Sequence, residues 1–211
     1  MHYGVNQELG ISFSGSGSSV DHITINDKQI EAVSSAKLLG VVVSDNLRWN
    51  AHVESICKKA ATRLYFLKQL RRAKVPPKDM LLFYITCIRL VLEYVCPVFH
   101  HSLPQYLSNE MEMFQKRALR IMQPDLSYAE ALVALDITSL YERRKALSIA
   151  LFDQIVRDQS HMLHDLLPPP NESIYCTRSQ TYFKLPICKT NSLKTLLLWQ
   201  TVLITSSNLN Y

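Results

Sequence analysis

Glycine is scarce, at five of 211 residues, and none of the five sits in a glycine-rich turn between a strand and a helix. A dinucleotide or methyl-donor cradle needs such a turn to bring backbone N–H groups against phosphate or cofactor, so those chemistries are not expected. No two cysteines stand in a C-x-x-C pair, and the five (Cys57, Cys87, Cys96, Cys176, Cys188) are odd in number and widely spaced. A zinc site and a disulfide framework are both unexpected, and the thiols read as reduced in an intracellular protein. No two aspartates are adjacent, and all stand singly along the chain. Two-metal phosphoryl transfer needs clustered carboxylates, so this sequence carries no pattern for it. There is no G-x-S-x-G elbow, and no His is followed two residues on by Asp as an iron-dependent dioxygenase would require. His52-x-Glu54 matches part of a zinc deaminase pattern, but the completing P-C-x-x-C is missing. The start, MHYGVNQELG, lacks the basic-then-apolar order of a signal peptide, and no uncharged apolar run approaches about 18 residues, so neither export nor a membrane partner is expected. No catalytic set, metal or cofactor is expected.

What is present is a local excess of positive charge. The whole chain has a formal charge of +5, but Lys37 to Lys74 alone holds nine basic residues against Asp45 and Glu54, a net of 9 − 2 = +7. Screening confines a charge's influence to roughly 8–10 Å, so such a segment matters more than the overall sum.

Hydrophobic spacing divides the chain. Residues 1–20 read as a flexible N-terminal stretch ending in SGSGSSV. Residues 21–45 read as β structure: two short strands around a turn at Asn26–Lys28, then AKLLGVVVS as a third strand, apolar enough to be buried on both faces. Residues 49–165 read as a helical bundle. Asn50 is placed as N-cap of a basic amphipathic helix whose apolar positions are Val53, Ile56, Cys57, Ala60, Leu64, Leu67 and Leu70. Trp49 reads as packing beneath it. A nearly all-apolar helix follows from Lys78 to about Tyr94, and then a loop bounded by Pro97 and Pro104 that carries His100 and His101. Further helices are expected at about Tyr106–Met122, Ser127–Leu135, with Ser127 and Glu130 at capping-box spacing, and Ser139–Gln159. Residues 166–211 read as a poorly ordered tail with one helix conceivable at Leu193–Val202. The fold class expected is mainly α, with a small N-terminal β element of a two- to three-stranded antiparallel hairpin.

An ordered series of motifs resembles the C-terminal part of non-LTR (LINE-type) retrotransposon reverse transcriptases over roughly residues 20–165. Lys37-Leu38-Leu39-Gly40-Val41 is similar to that family's primer-grip strand, and Trp49-Asn50-Ala51-His52 to the start of its thumb. Leu92 to Phe99, Glu112 to Ile121 and Ser127 to Arg144 are similar to later helices. The resemblance implies a fragment without the palm's Asp pair and without the endonuclease, not an enzyme on its own, holding an RNA/DNA template–primer through its thumb. It implies the missing palm as a partner, and self-association through the apolar face the palm would leave bare. The nucleic-acid-binding residues so expected are Lys37, Lys58, Lys59, Arg63, Lys68, Arg71, Arg72, Lys116, Arg117 and Arg120. Arg143, Arg144 and Lys145 either extend that surface or form an ordinary exposed face. Two alternatives stand beside this reading. One is a helical interaction module with no nucleic-acid role. The other starts from ESICKKAATRLYFLKQLRRAKV, which also looks something like the N-terminal helix of AlkB-type tRNA-modifying proteins, without their enzyme activity.

Overall fold

The computed structural model describes residues 9–11, 24–25, 28–29 and 31–169. The expected turn residues Asn26 and Asp27, the conceivable helix at 193–202, and Cys176 and Cys188 lie outside them. The chain is mainly helical, with small paired strands before the helices, as its hydrophobic spacing leads one to expect. It divides into two compact units, residues 1–59 and 60–211, with the boundary inside the first long helix.

In the first unit, strand β1 (Leu9–Gly10) pairs in parallel with β4 (Glu31–Ala32), which the sequence did not suggest. Strands β2 (Thr24–Ile25) and β3 (Lys28–Gln29) pair antiparallel, with Ile25 opposite Lys28. The stretch expected as one doubly buried strand is instead a hairpin. Strand β5 (Ser35–Leu38) turns back into β6 (Val41–Ser44), with Leu38 opposite Val41. The cause is local. Leu39 and Gly40 both take positive φ, at 47° and 86°, the pattern of a two-residue hairpin turn whose twist matches the strands it joins. A turn puts its tip in water, so Leu38 and Leu39 are exposed and only Val41 is buried.

Helix α1 (Asn50–Arg72) follows. The Val53 amide donates to the Trp49 carbonyl, so Trp49 takes the cap position expected of Asn50, and its indole is buried, as packing requires. The helix ends before Pro76-Pro77, because a proline restricts the residue ahead of it to extended backbone.

In the second unit, α2 (Pro77–Phe83) begins on a proline and runs through a π turn (Tyr84–Arg89) into α3 (Leu90–Glu93). The expected continuous helix is therefore present, with one widened turn in it. It buries Met80, Tyr84, Ile88 and Leu92 and leaves Leu82, Leu90 and Tyr94 exposed. The run Pro77–Ser102 is long and apolar enough to cross a membrane by length and composition alone, though it carries Arg89 and Glu93. Val95 then takes φ 54°, and the segment expected as a loop is helical: α4 (Cys96–Phe99) and a 3₁₀ turn (His100–Ser102). Pro97 falls within the first turn of α4, where its missing N–H costs nothing.

Helix α5 (Gln105–Met122) lies at the centre of this unit, packing on α2, α6 (Tyr128–Ala134) and α7 (Leu140–Arg157). Its buried stripe is Leu107, Met111, Phe114, Ala118, Leu119 and Met122, at spacings of three and four. The Ser127–Glu130 capping box is formed as expected, and Ser139 caps α7 through the Glu142 amide.

Candidate nucleic-acid interface

Two neighbouring helices put positive charge on one face of the second unit. On α5 the exposed positions are Gln105, Tyr106 and Asn109 near its start and Met113, Lys116, Arg117 and Arg120 further along. On α1 the positions beyond Ala60 that face water include Tyr65, Phe66, Lys68, Arg71 and Arg72. Arg71 donates to the Met122 carbonyl at 3.4 Å, where a cation meets the negative end of the α5 dipole and ties the two helices together.

Arg117 and Arg120 form a ridge between two hollows. On one side, a groove of about 430 Å³ lies between α1 and α5, lined by Tyr65, Lys68, Phe114 and both arginines. On the other, a cavity of about 280 Å³ lies between α5 and α6, lined by Met113, Lys116, Leu126, Tyr128 and both arginines. Neither lining contains a carboxylate. The cations are held against rings: Lys116 Nζ sits 5.3 Å from the centre of Tyr128, and the Arg117 guanidinium 5.8 Å from that of Phe114. Such contacts fix long, otherwise mobile side chains at a modest gain in energy.

Of the ten expected contact residues, Lys68, Lys116, Arg117 and Arg120 meet at this ridge, with Arg71 and Arg72 at the end of α1 beside them in sequence. The other four do not. Lys37 is on the β5–β6 hairpin of the first unit. Lys58 and Lys59 are exposed on α1 in the first unit, and Lys58 is paired with Glu54 at 2.6 Å. Arg63 is half-buried and donates to the Cys87 carbonyl, so it fastens α1 to the π turn rather than facing solvent. Sequence reasoning passed over Tyr65, Phe114 and Tyr128. The signal was there in the interleaving of aromatic with basic residues, in Arg63-Leu64-Tyr65-Phe66-Leu67-Lys68 and Phe114-Gln115-Lys116-Arg117.

The Arg143–Lys145 triplet does not extend this surface. Arg144 is fully buried and donates through Nη2 to Ser108 Oγ at 2.8 Å. Arg143 reaches the buried Glu93 at 3.2 Å, and Arg89 reaches it at 3.7 Å. Burial raises the Glu93 carboxyl above its ordinary range, against the opposing pull of Arg143 and Arg89. The His100–His101 pair is not a surface loop either. His100 is buried, and burial together with the Arg144 charge lowers its pKa to about 3. Burial lowers His101 too, with help from Lys145. Among the described residues no three His, Cys, Asp or Glu side chains gather as a metal site.

One family model matches the chain. It is that of alkylated DNA repair protein alkB homolog 8, N-terminal, over residues 49–89. No curated protein and no solved structure matches. The match covers α1, α2 and the π turn, less than half of the chain. It corrects the resemblance to retrotransposon reverse transcriptases and the LINE and thumb-domain setting that came with it: the family found is AlkB homolog 8, on the same basic stretch where the weaker of the two likenesses lay. Lys37-Leu38-Leu39-Gly40-Val41 bends around the Leu39–Gly40 turn of the β5–β6 hairpin. The later motifs fall on amphipathic helices, where leucines three or four apart and alternating Lys, Arg and Glu arise from packing and solvation alone.

Proposed function

We propose that the chain is a non-catalytic helical module that holds the phosphate backbone of RNA or DNA through the Arg117–Arg120 ridge, with Lys68, Lys116, Arg71 and Arg72 around it. The observation that carries this reading is the ridge itself: cations from two helices converge on two hollows whose linings hold no acid. Phosphate contacts by Lys and Arg release condensed counterions, which gives affinity without sequence preference. The match of the basic helix to the N-terminal region of a protein described as acting in alkylated DNA repair supports a nucleic-acid setting for that helix. The repair chemistry is not carried over, because this sequence holds no His-x-Asp pattern for the iron it would use.

The test is a gel-shift titration of the full chain with a labelled RNA or DNA duplex at about 50 mM salt. Binding that weakens when Arg117 and Arg120 are changed together to Gln, in a variant with unchanged circular dichroism, is the expected result. Undiminished binding by that variant would remove the ridge from the account.

A second reading rests on a separate observation. Leu82 and Leu90, at 60% and 58% exposure, share the outward side of the α2–α3 run with Val98 close beyond, an apolar stripe suited to a protein partner. Association through it would be insensitive to salt, whereas association through the ridge would not.

A further inference from the structure

The two hollows beside the ridge differ from an even basic surface, and the difference bears on which form of nucleic acid fits. A duplex presents phosphates on its outside and keeps its bases stacked within, so a rigid duplex resting on Arg117 and Arg120 would leave both hollows unfilled. An unpaired strand can turn its bases away from its phosphates. From this geometry we infer that the ridge takes a single-stranded polynucleotide, with a backbone phosphate on Arg117 and Arg120, one base in the α1–α5 groove against Tyr65 and a neighbouring base in the α5–α6 cavity beside Tyr128. This rests on the phosphate-binding reading above and adds strand form to it.

Three features support it. Both hollows share the two arginines and open on opposite sides of them, so one backbone crossing the ridge can serve both. Each has an aromatic wall as well as apolar residues: Tyr65 and Phe114 in one, Tyr128 with Met113 and Leu126 in the other. Their volumes, about 430 and 280 Å³, stand at the lower end of small-ligand sites, which suits a planar group the size of a base. A negative strand meets linings that contain cations and no acid. Tyr65 is 59% exposed, so its ring is open to a partner, and stacking on an aromatic face works for any base.

The experiment measures fluorescence anisotropy of the full chain with labelled oligouridine and oligothymidine of about twelve nucleotides, and with a duplex of the same length, at one salt concentration. Tighter binding of the single strands is expected. Tyr65→Ala and Leu126→Trp, which removes one stacking wall and fills the other cavity, are each expected to lower single-strand affinity about tenfold while leaving duplex affinity unchanged. Tyr65 is largely exposed and Leu126 partly so, at 37%, and unchanged circular dichroism of each variant establishes that it is folded. Equal affinity for strand and duplex, or variants that alter neither, overturns the base-binding inference while phosphate contact stands. Loss of all binding in the unaltered chain would sink the phosphate reading itself.

Discussion

At the scale of single residues, burial sets the acid response. The His52 Nδ1 atom accepts the Val42 amide at 3.3 Å, and burial, then Lys59, lowers its pKa. His100 and His101 are shifted the same way, His100 from 6.5 to about 3. A histidine depressed in the folded state contributes its full stability above the unfolded value and loses it as pH falls toward the folded value. Stability should therefore fall below pH 6.5, and His100 alone accounts for about 2 kcal/mol of loss by pH 5. Glu93 works in the opposite sense. Its raised pKa means that protonation on acidification favours the fold, between that raised value and 4.5. Urea unfolding at pH 7.5 and pH 5 measures the balance, and a midpoint that does not fall at pH 5 would contradict the histidine account. A second residue-scale expectation concerns Val95, whose φ of 54° is a poor conformation for a β-branched side chain. Val95→Asn should stabilise the chain by about 1 kcal/mol in thermal unfolding, because Asn tolerates that region.

At the scale of elements, the helices were legible and some of their joints were not. The stripe of α1 read directly from spacings of three and four, α5 and α7 were expected within a few residues of their bounds, and Ser127 with Glu130 announced the start of α6. The β5–β6 turn was hidden because Leu-Gly is not the Asn-Gly pair that usually marks such a turn, and nothing in VVV distinguishes half a hairpin from a buried strand. The π turn left no mark in composition. The cap on α7 was half legible. Ser139 was expected to begin the helix, but Glu112, on a helix 28 residues earlier, also accepts the Leu140 and Tyr141 amides at 3.2 and 3.0 Å and receives the Tyr128 hydroxyl. Long-range caps depend on tertiary placement, which one-dimensional spacing does not encode. Glu112→Ala should cost about 2 kcal/mol, as it orphans two helix N–H groups and a half-buried phenol. Ser127→Ala, losing only a local cap, should cost about 1 kcal/mol. Chemical denaturation of the two variants side by side checks the order, and an equal cost would mean Glu112 matters no more than a surface cap.

At the scale of the whole molecule, the candidate site was legible as chemistry but not as a place. The +7 segment pointed to α1 and the resemblance to Lys116, Arg117 and Arg120 as well, yet only the distal part of α1 lies beside those three cations of α5. Lys58 and Arg63 were indistinguishable from Lys68 in sequence; pairing with Glu54 occupies one and the Cys87 carbonyl the other. Arg144 looked like a surface residue in a basic triplet and is instead fully buried. Charge count alone cannot separate a cation that meets solvent from one that fastens the core, and here that distinction sets the outline of the site.

Nucleic-acid contact through the ridge is tested most directly by a salt series from about 50 to 200 mM with a labelled duplex. With roughly four phosphates neutralised on a DNA duplex, log affinity against log salt should be linear with a slope of about −3.6, and the Arg117→Gln, Arg120→Gln double variant should flatten it by about two. A folded chain that does not bind at the lowest salt, or that binds with no dependence on salt, would contradict the account.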